Sequence, residues 1–121
     1  MINILAVFFG GGIGSLLRYG ISKLVLTFYW GSFPLATFIS NILSCVVLVF
    51  VVLYTKKMVD SELIKLFLIT GICGGFSTFS TFGFETFSLL KTGNYTVAII
   101  NILLSLIVGV GLIFMLLKNQ N

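Results

Sequence analysis

The sequence of 121 residues contains no histidine, and only 8% of its residues are charged. Without histidine there is no imidazole for acid–base chemistry, and the commonest metal ligand is missing. Soluble domains carry about 25% charged residues, roughly three times as many. Together with a hydrophobic fraction of 59%, this shortage excludes a water-soluble globule and a disordered segment, and it indicates a protein that lies in the lipid bilayer.

Basic charge and cysteine are also scarce. The net charge of +4 comes from seven basic and three acidic residues, which does not make the basic patch that nucleic-acid binding needs, so we expect no nucleic-acid partner. Cys45 and Cys73 lie deep in apolar runs, and we interpret them as small helix residues rather than a disulfide or a metal site. Since the sequence contains no nucleophile–base pair and no metal cluster, we predict that the protein is not an enzyme.

Short polar stretches divide the chain into four apolar segments. A helix needs about 20 mostly apolar residues to cross the hydrocarbon core. The separators are residues 31–34 (GSFP), 56–62 (KKMVDSE) and 91–94 (KTGN). We therefore predict an all-α integral membrane protein, a single transmembrane domain over residues 1–121, with four spans at about 4–28, 33–54, 63–90 and 95–117.

The lysines of the chain have only a weak bias across the membrane, which slightly favours an N-terminus inside. Four spans place both ends of the sequence on one side, which then holds four lysines against two on the other: Lys56, Lys57, Lys65 and Lys118 against Lys23 and Lys91. The positive-inside rule fixes orientation only where the excess is clear. A bias this weak permits insertion in both directions.

The first span contains small residues and one arginine. Gly10 and Gly14 have the GxxxG spacing that lets helix backbones approach closely, either within one subunit or between two. Arg18 also lies within this span, where an arginine is costly and usually pairs or faces water. The alternative for Arg18 is a side chain that extends along the helix to the membrane interface.

The second and fourth spans carry polar residues at helical spacing. Asn41 stands beside Ser40 in the second span, and its amide offers two N–H donors. In the fourth span Asn101, Ser105 and Gly109 recur every four residues and therefore share one face. Such a stripe either lines a narrow wet path or holds helices together by hydrogen bonds.

The third segment contains an unusual run at residues 71–85 (GICGGFSTFSTFGFE). We predict that Gly74 and Gly75 break the helix in mid-membrane, which is tolerated where loose backbone is buried or lines a cavity. At such a break carbonyl groups can coordinate a cation and amide ends can meet an anion. Phe76, Phe79 and Phe82 recur at spacing three, so we predict that they share one face of the following half-helix, where phenyl edges are weakly positive.

Three stretches resemble the CrcB/Fluc family of small fluoride channels. Residues 11–19 (GGIGSLLRY) resemble the first-helix pattern GGxxGAxxRY, and residues 34–41 (PLATFISN) resemble the pattern GTLxxN of the second helix. Residues 71–82 (GICGGFSTFSTF) resemble the third-helix signature GxxGGxTTFSTF, which is the most specific of the three. The resemblance covers the whole length of the chain.

The resemblance implies a fluoride-selective channel for passive export of cytoplasmic fluoride across the cell membrane. It implies a homodimer of dual topology, in which two antiparallel subunits enclose two pores. The residues that it assigns to the fluoride pathway are polar side chains and phenyl rings, namely Asn41, Phe79, Phe82, Ser80, Thr81, Ser105 and, near the wide vestibule, Arg18. It also implies one structural Na⁺ at the dimer centre, held by the backbone carbonyls of Gly74 and Ser77.

The residues of this pathway suit a small, strongly hydrated anion, because conduction needs several sites of moderate affinity rather than one strong positive charge. By this resemblance, Asn101 stands where many relatives carry tyrosine, and its amide can still donate a hydrogen bond.

Two alternative functions stay open. A small four-helix exporter of dual topology, coupled to protons, needs a carboxylate in the first span, whereas Glu85 in the third is the only carboxylate within a span. A structural membrane subunit would explain the GxxxG spacing but not the polar third segment.

Overall fold

The computed structural model of the protein describes residues 1–58 and 61–120, and every regular element in this part of the chain is helical. Four helical segments are long and apolar enough to cross a membrane, which confirms the all-α prediction and makes this a multi-pass membrane protein. Three of them are single helices: α1 (Ile2–Leu26), α2 (Leu35–Met58) and α5 (Tyr95–Leu117).

The third segment is built from two helices. Residues 62–76 form one continuous helical stretch, α3, which consists of an α-helical turn at Glu62–Lys65, a π-helix at Leu66–Cys73 and a last α-helical turn at Gly74–Phe76. After two extended residues the chain enters α4 (Phe79–Lys91). The predicted interruption of the third span is therefore present.

The position of the interruption differs from the prediction. Gly74 and Gly75 are helical, and the extended residues are Ser77 (ψ 157°) and Thr78 (φ −150°, ψ 119°). The prediction that Phe76 shares a half-helix face with Phe79 and Phe82 is also wrong. Phe76 ends α3 before the interruption and is buried, with 4% of its surface exposed.

Gly75 and three other glycines, Gly10, Gly14 and Gly71, serve helix packing instead. Gly10 and Gly14 of α1 face α3, and a Cβ added at Gly14 would collide with the carbonyl oxygen of Ile72 and lie 2.7 Å from the amide nitrogen of Phe76. A Cβ at Gly71 would lie 2.8 Å from the Cα of Gly10. The two helix backbones are thus in direct contact, which small residues allow. Of the two interpretations of the GxxxG spacing, the structure supports packing within one subunit.

Proline and glycine lie at the ends of the helices, in the polar stretches where the sequence predicts turns. Pro34 precedes the first residue of α2, where a missing amide proton costs nothing. Gly93, with φ +85°, follows α4. Its N–H donates to the carbonyl of Leu90 while the N–H of Asn94 donates to that of Leu89, the pattern of a Schellman motif, which requires a left-handed residue. This tight turn leads directly into α5.

Candidate functional site

The interruption between α3 and α4 is held open by one side chain of α2. The N–H of Thr78 donates to Oδ1 of Asn41 at 2.8 Å, and Nδ2 of Asn41 donates to the carbonyl of Thr78 at 3.4 Å. In a continuous helix the N–H of Thr78 would bond to the carbonyl of Gly74. Asn41 therefore replaces the helical partner of Thr78, and the carbonyl of Gly74 loses its usual donor.

The last carbonyl groups of α3 receive donors from three directions. The carbonyl of Cys73 accepts from Oγ of Ser44 at 3.0 Å, and from both the N–H (3.0 Å) and Oγ (2.9 Å) of Ser77. The carbonyl of Gly75 accepts from Nε of Arg18 at 3.2 Å. A cation is stabilised at the negative end of a helix. Arg18 is thus paired within the chain rather than extended to the membrane interface.

The first turn of α4 is capped by the side chain of Thr78. Oγ1 of Thr78 accepts from the N–H of Thr81 at 3.2 Å and also contacts the hydroxyl groups of Thr81 (3.2 Å) and Ser80 (3.3 Å). A threonine with extended backbone is a favoured N-cap because its oxygen satisfies an amide that the helix leaves free. This cap fixes the rotational phase of α4, and with it the positions of Phe79 and Phe82.

Beside the interruption lies an open groove of about 240 Å³. The rings of Phe79 and Phe82 form part of its wall, with centroids 6.0 Å apart and planes inclined by 37°. Phe79 is 84% exposed, whereas Phe82 is half-buried. All the lining residues are uncharged: Asn41, Ser77, Thr78, Phe79, Phe82, Ser105 and Leu106.

A family profile described as "CrcB-like protein, Camphor Resistance (CrcB)" matches residues 5–117. The chain belongs to the CrcB family. It is 44% identical over 108 residues to a protein of Azobacteroides pseudotrichonymphae named fluoride-specific ion channel FluC, covering 88% of this chain and 86% of that protein. Proteins of the same name from Chloroflexus aurantiacus (42% identical, 93% and 95% covered) and Clostridium perfringens (44%, 96% and 90%) are similar over almost their full length.

The groove of this CrcB chain unites four of the residues assigned by resemblance to the fluoride pathway, namely Asn41, Phe79, Phe82 and Ser105. The other three lie outside its lining: Ser80 is exposed, while Thr81 and Arg18 are half-buried and bonded to Thr78 and Gly75. The side chain of Thr78 was not among the predicted residues. The signal was available, because a hydroxyl residue immediately before a helix is a typical N-cap.

A second polar layer lies behind the groove in the CrcB chain. Asn101 of α5 is 1% exposed, and its Nδ2 donates to Oγ1 of Thr86 at 3.1 Å. Oγ1 of Thr37 donates to Oε1 of Glu85 at 2.8 Å. In residues 1–58 and 61–120, two buried side-chain oxygens have no hydrogen-bond partner, Ser40 Oγ and Glu85 Oε2. Gly109 continues the α5 stripe and faces α2, where a Cβ would meet Sγ of Cys45 at 3.6 Å.

Proposed function

We propose that the protein is a fluoride-selective ion channel through which cytoplasmic fluoride leaves passively. The observation that carries the proposal is the uncharged groove at the helix interruption, where an amide, hydroxyl groups and two phenyl rings converge. Relatives that are 42% and 44% identical are named fluoride-specific ion channels, which supports the same activity here. Ion conduction makes and breaks no covalent bond, so this is not an enzyme.

The groove offers hydrogen-bond donors without a fixed positive charge. The amide of Asn41 has two N–H groups, and one of them is free of Thr78. Ser105 carries a hydroxyl proton, and the rings of Phe79 and Phe82 present weakly positive edges. Together these groups can replace part of the water shell of fluoride. Because none of them is cationic, the ion is held moderately and can leave, as conduction requires.

We propose further that two copies pair in opposite orientations. In the single chain, polar or small residues of α3 and α4 are exposed on surfaces that the other helices do not cover, namely Thr70, Gly74 and Ser80. Ser80 already contacts Thr78, but the carbonyl of Gly74 has lost its helical donor, and polar groups in hydrocarbon need partners. A second copy would supply one. The weak lysine bias of four against two permits an inverted copy. To test the inverted pairing, a cysteine is introduced at exposed Asn94 in a chain that carries Cys45→Ala and Cys73→Ala. An impermeant maleimide outside intact cells should label about half of the copies, as equal insertion in two directions requires. Labelling of all or none contradicts dual topology.

One Na⁺ at the dimer centre is part of the proposal. Gly74 is exposed, and its carbonyl has lost the helical donor because the N–H of Thr78 bonds to Asn41. Ser77 is extended, so its carbonyl does not continue the helix. Exposed carbonyl oxygens of this kind fit a hard cation. The ion would neutralise the carbonyl dipoles of two copies and take no part in moving fluoride. If exchange of Na⁺ for a large organic cation left fluoride flux and dimer stability unchanged, the Na⁺ site would be refuted.

Vesicles that contain only this protein test the main proposal, with a fluoride electrode as the readout. We expect the wild type to release fluoride and not chloride. Phe82→Ile should abolish fluoride release while the dimer elutes unchanged, because the ring edge is lost and the bulk is largely kept. Phe114→Ile is the matched control, since Phe114 is 66% exposed on α5 outside the groove. Equal release of chloride, or no release of either ion, contradicts a fluoride-selective channel.

A proton-coupled exporter is the second candidate, because Glu85 is a half-buried carboxyl within a span. The same vesicles distinguish the two. A channel releases fluoride down its own gradient when the pH is equal on both sides, and Glu85→Gln vesicles still do so. A coupled exporter needs a proton gradient and loses transport when Glu85 becomes glutamine.

A further inference from the structure

A chain of hydrogen bonds runs behind the groove and connects two of its lining residues. The hydroxyl of Ser105 donates to Oδ1 of Asn101 at 3.4 Å, and Nδ2 of Asn101 donates to Oγ1 of Thr86 at 3.1 Å. The hydroxyl of Thr86 donates to the carbonyl of Phe82 at 2.8 Å. The chain therefore begins at Ser105 on α5 and ends at Phe82 on α4, through a side chain that is 1% exposed.

The direction of this chain follows from proton counting. Thr86 has one hydroxyl proton, and it is committed to the carbonyl of Phe82 at 2.8 Å, so Oγ1 can only accept from Asn101. The NH₂ group of Asn101 must then face Thr86, which turns Oδ1 toward Ser105. Oδ1 has no proton, so the hydroxyl proton of Ser105 points at Asn101 and away from the groove.

We propose that Asn101 is a positioning residue that competes with the transported anion for the hydroxyl proton of Ser105. The proposal rests on the proposed fluoride channel and concerns one wall of its groove. At 3.4 Å the bond from Ser105 to Asn101 is long for a hydroxyl donor and therefore weak. A bare anion is a stronger acceptor than an amide oxygen, so it draws the proton into the groove and gives it back when it leaves. Asn101 thus lowers the affinity of this wall and speeds release.

Replacement of the amide by an isosteric apolar side chain tests the competition. In Asn101→Leu the Ser105 proton has lost its acceptor on α5, while Thr86 keeps its bond to Phe82. We expect the fluoride concentration that gives half-maximal flux to fall about threefold, which at 1.4 kcal/mol per tenfold corresponds to about 0.7 kcal/mol, less than the roughly 1 kcal/mol of an ordinary net hydrogen bond. Maximal flux should fall as well, because the ion leaves more slowly.

The decisive measurement repeats this substitution in a Ser105→Ala background. With no hydroxyl proton to compete for, Asn101→Leu should leave the half-maximal concentration unchanged. If the role of Asn101 is merely structural, Asn101→Leu should alter flux equally in both backgrounds and leave the half-maximal concentration unchanged. An equal change of flux in both backgrounds, or an unchanged half-maximal concentration in the wild-type background, overturns the inference. Ser40→Ala is the control, because Ser40 is buried on α2 and lies outside the chain of bonds and the groove lining.

Thr86→Val provides a second route if Asn101→Leu does not fold. It removes the acceptor that orients the amide of Asn101, so we expect the half-maximal fluoride concentration to fall about twofold. A rise of this concentration, or no change, would contradict the inference.

Failure of the underlying channel function would look different. If wild-type vesicles release no fluoride, the channel proposal fails, whereas wild-type release together with an unaltered half-maximal concentration in Asn101→Leu refutes only the role of Asn101.

Discussion

The two halves of the third span are held in the protein by different forces. α3 lies against α1 through glycines so close that added methyl groups would collide with backbone atoms. α4 is connected to α2 and α5 by side-chain hydrogen bonds, from Thr37 to Glu85 and from Asn101 to Thr86. α3 also accepts side-chain hydrogen bonds from Ser44 and Arg18, but its approach to α1 is limited by backbone contact, whereas the hydroxyl and amide groups around α4 can exchange partners. The difference assigns α3 the role of a fixed support and places the exchangeable donors on the side of the groove.

The largest effect is expected where α3 meets α1. In Gly14→Ala the new methyl group would collide with the carbonyl of Ile72 and approach the amide nitrogen of Phe76. Since backbone cannot move aside as a flexible side chain can, we expect a loss of about 3 kcal/mol of stability or failure to fold. Thermal unfolding in detergent measures this. Gly20→Ala, with no atom within 4 Å of its Cβ, is the control and should fold normally. Similar stability of the two variants would show that the backbone contact is not rigid.

Asn41 gives the next largest effect, and two substitutions separate its two roles. Asn41→Leu leaves the N–H and carbonyl of half-buried Thr78 without partners, which should cost about 2 kcal/mol in total and reduce both stability and flux. Asn41→Asp keeps an acceptor for the N–H of Thr78 but places a negative charge in the groove. Its fold should be retained better than that of Asn41→Leu, while fluoride release is lost by repulsion. Equal flux in Asn41→Asp and the wild type would remove Asn41 from the ion path.

The smallest effect is expected at Ser44. In Ser44→Ala the carbonyl of Cys73 still accepts from the N–H and hydroxyl of Ser77, so we expect a stability loss below about 1 kcal/mol and unchanged flux. The same unfolding assay measures it. Ser44→Ala combined with Ser77→Ala should cost more than the sum of the single changes, because the carbonyl then keeps one donor. A loss as large as that of Asn41→Leu would contradict this ranking.

Hydropathy sufficed to predict four helical segments because each is a long apolar run between polar turns. The site of the interruption could not be predicted in the same way. Gly74 and Gly75 were interpreted as helix breakers, yet small residues in membrane helices also permit close packing, and here Gly75 contacts α1. The interruption depends on Asn41, which lies 37 residues away in sequence. The local sequence offers Thr78 as an N-cap for α4, but it does not show that Asn41 replaces the helical partner of Thr78.

The residues that line the groove could be predicted only in part, and the reason is similar. Phe79 and Phe82 are recognisable from their spacing, and they do line the groove. Ser80 and Thr81 lie between them in sequence but outside the lining. Their positions depend on the phase of α4, which the N-cap at Thr78 sets. The π-helix at Leu66–Cys73 was not predicted either, because its apolar composition suits an ordinary helix equally well.

One carboxamide on a neighbouring helix satisfies two backbone polar groups at the helix interruption. Both backbone polar groups of Thr78 find their partners on the side chain of Asn41. The stability of such an interruption, and of the groove beside it, therefore depends on a residue that belongs to a different helix. In the design of small membrane pores, the residue to choose first is accordingly the one opposite the intended bend.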